Sequence, residues 1–250
     1  MVRMRRIKAM WMAAAVATLL GVNVASAEAE GWTFALTPYG WLPQMNGDVS
    51  IGPVSAPVDL SFSDTLDLVK DIKGALMLHA EASHAPYALL GDLYFLKLDV
   101  KGHTPVGQSS TELKQVIAEL GGAYALPVHV RNMTLEVLAG GRYESLDVGI
   151  DINAVGVSAD ASKSWVDPFV GARVTYAACP SVTLSLRGDI GGFGVGSDLS
   201  WNAVGAASWA FAENWSAVLA YRLLDVDYDH NAFKYNVRTD GPALGLMYTF

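Results

Sequence analysis

Gly241-Pro242-Ala243-Leu244-Gly245-Leu246-Met247-Tyr248-Thr249-Phe250 ends the chain, and its pattern decides the fold. Pro242, Leu244, Leu246, Tyr248 and Phe250 share one parity, and Gly241, Ala243, Gly245, Met247 and Thr249 share the other. A period of two sends alternate side chains to opposite faces of a strand. One face of this segment is therefore large and apolar, and the other is mostly small or polar. Leu199, Trp201, Ala203, Gly205, Ala207 and Trp209 alternate in the same way with Ser200, Asn202, Val204, Ala206 and Ser208. So do Val166, Val170, Ala172, Val174 and Tyr176 with Asp167, Gly171, Arg173 and Thr175.

A soluble sandwich also alternates, and two features separate it from a membrane barrel. Trp201 and Trp209 sit on one face, separated by a span that projects to roughly 20 Å at ~3.3 Å rise and ~40° tilt, the spacing of aromatic belts around an apolar band. Many alternating segments also exceed the ~5–6 residues usual in soluble sheets. Backbone groups in lipid must be paired within the protein, so a strand-built span closes into a barrel. The same argument puts Tyr124, Tyr143, Tyr176, Trp201, Trp209, Trp215, Tyr221 and Tyr248 in aromatic girdles facing lipid.

Composition agrees. The chain has 250 residues, 52% hydrophobic and 17% charged, which excludes disorder. A net charge of −8 leaves no basic face for nucleic acid. Cys179 is the single cysteine, so an intrachain disulfide framework and a Cys-rich metal site are excluded. Arg3, Arg5, Arg6 and Lys8, the apolar run Ala9 to Val22, and Ala25-Ser26-Ala27 match a secretory signal peptide over 1–27, which leaves 28–250 as the barrel. The apolar run is shorter than the ~20 residues of a spanning helix.

Turn residues divide the remainder into ten antiparallel up-and-down strands, at about 32–42, 74–83, 87–100, 111–126, 133–150, 163–177, 182–195, 198–211, 215–228 and 234–250, with eight strands as the alternative. Short connections at 84–86, 127–132, 178–181 and 212–214 fall on the periplasmic side if both termini do. The segments 43–73, 101–110 and 151–162 form longer outer loops, and 196–197 and 229–233 are short. In the first strand, Pro38 predicts a bulge or an early end, with Tyr39 and Trp41 continuing on the other parity from Trp32, Phe34 and Leu36. Within 43–73 a short helix is expected, with Ser63 as cap, Asp64 in the first turn and Lys70 in the last, over or inside the barrel mouth.

Here the chain resembles Gram-negative outer-membrane β-barrel proteins. Phe250, preceded by Tyr248 and Leu246, matches their C-terminal strand signature, which in those families is recognised by the β-barrel assembly machinery. More closely, it resembles a group of small outer-membrane barrels through Trp165-Val166-Asp167-Pro168-Phe169-Val170-Gly171-Ala172-Arg173 and Gly188-Asp189-Ile190-Gly191-Gly192-Phe193-Gly194-Val195-Gly196-Ser197-Asp198. Tyr221-Arg222 with Asp227-Tyr228, and Gly241-Pro242-Ala243-Leu244-Gly245, add to it. The resemblance implies fold and a bacterial outer-membrane location, with lipid and lipopolysaccharide as surroundings. It supplies no activity.

Parity assigns the lumen. Glu81, Asp92 and Glu119 point inward from the second, third and fourth strands. Arg142, Arg173, Arg187 and Arg222 point inward from the opposite wall, where Asp167 and Asp189 join them. An arginine facing lipid at mid-depth would cost roughly 2–4 kcal/mol. Buried charges need partners, so a cross-lumen ion-pair network that largely fills a narrow interior is expected. Its role is structural, or it lines a porin-like path for small solutes.

Other chemistry is weak. Gly192-Phe193-Gly194-Val195-Gly196 imitates a phosphate loop, but a strand follows it, so it is an outer hairpin. His79, His84, His103, His129 and His230 lack metal-ligand spacing, and no cofactor is expected. Asp225, Asp227, Asp229 and His230, with Asp147 and Asp151, sit at outer rims, where ten-stranded omptin proteases carry paired aspartates and an Asp-His pair. The spacing does not match the omptin motifs, so no catalytic residue is assigned. Ser61, Ser63 and Ser110 near His103 or His230 are the other hydrolase candidates. The alternatives to a structural or porin-like barrel are an adhesive barrel acting through 43–73 and a barrel-embedded hydrolase.

Overall fold

A computed structural model describes residues 31–51, 54–104, 107–128, 130–152, 157–230 and 233–250; the signal peptide expected over 1–27 lies outside them. The elements are β1 (Thr33–Trp41), β2 (Gln44–Ile51), β3 (Val54–Leu60), α1 (Phe62–Leu68), a 3-10 turn (Val69–Asp71), β4 (Ile72–His84), β5 (Tyr87–Thr104), β6 (Gly107–Ala125), β7 (Met133–Ile152), β8 (Val157–Cys179), β9 (Val182–Gly192), β10 (Leu199–Ala210), β11 (Trp215–His230) and β12 (Phe233–Thr249). Every pairing is antiparallel, and β4 to β12 neighbour one another in chain order. Among the described residues no helix is long and apolar enough to cross a membrane, which has no bearing on strands.

β12 closes the ring. Its lower half pairs with β1, from Ala35↔Thr249 to Trp41↔Ala243, and its upper half with β2, from Gln44↔Asp240 to Ile51↔Phe233. β1 and β2 are thus one wall position interrupted at Leu42–Pro43, and the closed barrel has ten strands. The strand passes through Pro38 without a register shift. Pro38 is the last residue paired with β4, so its missing N–H donor costs nothing further up that edge. β3 folds back on β2 as an added strand.

Four expectations on the outer side are corrected. The segment 43–73 is not simply a loop, since it contains β2 and β3. The segments 101–110 and 151–162 are mostly strand, because pairing continues to Thr104↔Gly107 and Ile152↔Val157. The cap of α1 is Ser61 rather than Ser63. Asp64 N–H donates to Ser61 Oγ, and Asp64 Oδ2 accepts from Ser61 N–H at 2.9 Å, a capping box that holds the Asp64 carboxyl below its ordinary pKa. Nor does α1 enter the mouth. None of its residues is buried, and Thr65 Oγ1 ties it to the Pro43 carbonyl at 2.5 Å.

The strands keep their period of two throughout, but the apolar parity changes sign along them. Low on β11, Val218, Ala220 and Arg222 face the lumen while Leu219 and Tyr221 face out; higher up, Leu224, Val226 and Tyr228 face in while Asp225, Asp227 and Asp229 face out. On β12, Leu244 and Leu246 face out below, whereas above them Phe233, Tyr235 and Val237 are buried and Lys234, Asn236 and Arg238 are exposed. Exterior charges on the far wall, such as the Lys114–Asp147 pair, likewise lie high on their strands. The lower part is patterned for lipid and the upper part for water.

The interior follows. In the upper half Trp41, Tyr94, Ile117, Leu146, Trp165, Leu224, Val226, Phe233, Tyr235 and Val237 form one buried apolar cluster. Trp165 stacks on Tyr228 at 4.5 Å, and Trp41 meets Tyr94 edge-on at 5.4 Å. β9 and β10 are short, and the hairpin between them, residues 193–198, folds against the wall. Asp198 N–H reaches the Asp227 carbonyl, and the turn uses left-handed backbone at Gly192, Phe193 and Gly194. These elements lie within one unit, Thr33–Phe250.

Candidate functional site

The lumen charges meet at the level where the apolar parity changes. Arg142, fully buried, donates from Nε to Glu119 at 3.0 Å and from Nη2 to Asp189 at 2.6 Å. Arg222 crosses the lumen to Asp92 at 3.0 Å and Glu119 at 2.5 Å, and its Nε donates to Asn202. Arg187 reaches Glu119 at 2.8 Å and Asp189 at 2.9 Å. Glu119 therefore collects three guanidinium groups from three strands. Lower down, Arg173 grips Glu81 and Glu136 with paired hydrogen bonds of 2.6–3.0 Å. Paired guanidinium–carboxylate contacts are the strongest hydrogen bonds available to such groups. Aromatic faces flank the network: Phe169 lies over Arg142 and Arg187, and Trp41 lies over Arg222.

Of the nine charged residues singled out in the sequence, Glu81, Asp92, Glu119, Arg142, Arg173, Arg187, Asp189 and Arg222 make these contacts. Asp167 does not. It is fully buried, but its carboxylate accepts Ser197 N–H and Ser197 Oγ–H, each at 2.7 Å, and so pins the 193–198 hairpin. Glu136, His79, Tyr39 and Asn202 were missed. Tyr39 donates to Asp92 at 2.9 Å, and His79 lies 3.4 Å from Asp92. Glu136 and His79 carry the lumen parity of Arg142 and Glu81 on their own strands, so parity alone identifies them. Above the network Glu144 Oε1 and Trp165 Nε1 are buried without a protein partner among the described residues.

Below the network a cavity of about 440 Å³ opens toward the short turns. Its roof is Asp92, Glu119, Arg187 and Arg222, and its far wall is small, with Ser185, Ala206, Ala220 and Ala243 in one cross-strand row.

The proposed girdle residues all lie on the outward parity. Tyr124, Tyr176, Trp209, Trp215 and Tyr248 ring the short-turn end, joined by Tyr87, Phe211 and Phe250. Contacts there include Tyr87–Tyr124 at 5.5 Å and Trp215–Tyr248 at 4.7 Å. Tyr143, Trp201 and Tyr221 lie further up, and the Tyr221 hydroxyl donates to Asp240, which also accepts from Gln44. Phe250 N–H bonds to the Phe34 carbonyl at 2.9 Å, fixing the last residue to the first strand.

The rim candidates for catalysis do not assemble. Asp225, Asp227 and Asp229 project outward from β11, while the even-numbered His230 has the inward parity. Asp229 pairs with Lys234, and Asp147 with Lys114 and Ser162. Ser61 and Ser63 bond to each other at the α1 cap. The side chains of His103, Ser110 and Asp151, and all of His129, lie outside the described residues. No group of three or more His, Cys, Asp or Glu able to hold a metal ion occurs among the described residues.

A closed, ten-stranded antiparallel barrel with an apolar outer band and a charged lumen has the fold of Gram-negative outer-membrane barrels. Among solved structures it is similar to the outer membrane protease OmpT of Escherichia coli, with a TM-score of 0.51 at 10% identity over 88% of this chain and 97% of that one. The translocator domain of the autotransporter NalP from Neisseria meningitidis aligns with a TM-score of 0.42 at 12% identity, covering 95% of this chain and 96% of that one. Ail of Yersinia pestis aligns at 0.36 and 12%, covering 88% and 99%. Neither a family model nor a curated protein matches the sequence.

Proposed function

We propose that this chain is a structural, non-conducting outer-membrane barrel, whose lumen is sealed by two barriers in series. The observation that carries the reading is the continuity of the seal. The Arg142–Glu119–Arg222 network spans the lumen, and the Trp165–Tyr235–Tyr94 cluster fills the space above it. A hydrated ion crossing it would have to separate buried ion pairs and then enter an apolar, close-packed region. This sets the structural role above porin-like passage.

In this reading lipid and lipopolysaccharide surround the band between the aromatic belts, and Phe250 carries the signal for the assembly machinery. The role is non-catalytic, supported by the opposite faces that β11 gives Asp225, Asp227, Asp229 and His230. Planar-bilayer recordings of the refolded chain test it. The native barrel gives no long-lived conductance steps, and neither does Trp165→Ala alone, because the ionic barrier remains. Stable openings in the native protein would refute the reading.

A further inference from the structure

The cavity under the network owes its existence to side-chain size. Cross-strand pairing places Arg187, Val204 and Arg222 in one row. Ser185, Ala206, Ala220 and Ala243 form the row below, and Thr183, Ser208, Val218 and Gly245 the next. Nothing in the two lower rows exceeds valine, so four neighbouring strands leave their half of the lumen open. The opposite wall is filled by His79, Glu81 and Arg173. Pro180, Ser181, Ala210 and Ser216 line the mouth at the short-turn end. In an outer-membrane barrel that end faces the periplasm.

The hydrogen-bonding capacity left in this cavity is one-sided. The carboxylates that line it are engaged: Glu81 by Arg173, Asp92 by Tyr39, Arg222 and His79, and Glu119 by Arg142, Arg187 and Arg222. Arg187 turns its Nε–Nη2 edge to Asp189 and Glu119, and its Nη1 has no acceptor among the described residues. The hydroxyls of Ser185, Thr175, Thr183, Ser208 and Ser216 also line the cavity. A ligand that fits must supply acceptors near Arg187 and Ser185, and apolar surface against Val204, Ala206, Val218 and Ala220.

The geometry points to a dead-end pocket, entered from the periplasmic side, for a small amphipathic carboxylic acid. The acid's oxygens meet Arg187 Nη1 and the Ser185 hydroxyl, and its chain lies along the alanine–valine wall. At about 440 Å³ the cavity lies within the usual range of small-molecule pockets. The inference goes beyond the sealed-barrel reading and needs no passage through the seal.

Calorimetric titration of the full barrel in lipid nanodiscs, with empty nanodiscs subtracted, tests it using octanoate, octylamine and octanol as probes. Octanoate binds saturably, at least tenfold tighter than either of the others. Ala206→Phe and Ala220→Phe, which fill the void from its small wall, abolish the binding while heat-modifiable gel mobility stays native. If either fails to fold, Ser208→Leu at the next row provides the same obstruction nearer the mouth. Three outcomes overturn the pocket: no saturable octanoate binding up to 10 mM, octylamine or octanol binding equally well, or binding that survives the filled variants. Any of these alongside a silent bilayer recording removes the pocket and leaves the sealed barrel standing.

Discussion

The lower and upper halves of this barrel are made of the same strands and obey opposite rules. On β12, Leu244 and Leu246 face out and Ala243 and Gly245 face in; eight residues earlier Asn236 faces out and Tyr235 and Val237 are buried. The difference lies in what touches the outside of the wall. On the outer-membrane reading the exterior solvent of the lower half is hydrocarbon, and the lumen there holds charges that satisfy one another beside a small apolar cluster of Leu90, Leu138 and Phe169. In the upper half the exterior is water, and the same strands fold as a soluble sandwich does, burying aromatics between walls with Lys and Asp outside. A membrane barrel and a soluble core are joined along single strands, and the ion-pair network sits at the seam.

The largest expected effect comes from breaking that seam. Arg142→Leu leaves Glu119 and Asp189 each short of a buried cation, and loss of one member of a buried pair costs about 3–5 kcal/mol. Urea unfolding followed by tryptophan fluorescence should show a loss of that size or a failure to refold. A smaller loss would mean that the remaining arginines close over the gap.

The change of sign gives the next test, because it predicts different results for one substitution on one parity of one strand. Leu244→Lys puts an ammonium into lipid and should cost about 2–4 kcal/mol if it lies near mid-depth. Asn236→Lys, above the change, should fall within about 0.5 kcal/mol of the native chain. Equal costs at the two sites would mean that lipid covers the whole wall.

Much of this was legible beforehand. Strand alternation gave the barrel, and parity put Arg142, Arg173, Arg187 and Arg222 opposite Glu81, Asp92 and Glu119, because a charged side chain on the lipid face is too costly to consider. The upper half was left unread for a physical reason. A period of two is unchanged when the apolar parity switches, so alternation alone does not mark where the exterior of β11 and β12 turns polar. The signal was present in Asp225, Asp227 and Asp229 alternating with Leu224, Val226 and Tyr228. β2 read as loop because Asn46-Gly47-Asp48 interrupts it; its pairing to β12 passes so close at Gly47 that a Cβ there would lie 2.0 Å from the Asn236 carbonyl. The partner of Asp167 was not legible at all. Parity puts that carboxylate inside, but its donors come from a hairpin thirty residues further on.

That hairpin sharpens the comparison at smaller scale. Gly196 packs where a Cβ would lie 2.5 Å from both Asp167 Oδ1 and the Val166 carbonyl. Gly196→Ala must push the hairpin off β8, and overpacking of this kind costs about 1–3 kcal/mol. Asp167→Asn keeps the shape but removes a charged acceptor from Ser197, for a loss of about 1.5–3 kcal/mol at most. Limited proteolysis at Phe193–Val195 separates local release of the hairpin from global unfolding: both variants should be cut faster while the network below keeps its unfolding midpoint. If the midpoint falls as far as it does in Arg142→Leu, the upper and lower halves unfold as one unit.

The smallest effect is expected where neither half is involved. α1 lies between β3 and β4, buries nothing, and is held by the Ser61–Asp64 box and the Thr65–Pro43 hydrogen bond. Ser61→Ala removes the side-chain acceptor from the first turn, a change worth typically ~1 kcal/mol to a helix end. The helix contributes no buried surface to either core, so that loss stays local. Hydrogen exchange should quicken at Asp64 and Thr65, with no change in barrel unfolding. The Asp64 carboxyl titrates below its ordinary value, so its folded form is favoured above that range and the box weakens as pH falls through the lowered pKa. Protection at Asp64, corrected for the intrinsic exchange rate at each pH, should therefore fall on acidification in the native chain and respond far less in Ser61→Ala, where the hydroxyl that lowered the pKa is gone. An equal pH response in both would mean that the box does not hold the helix.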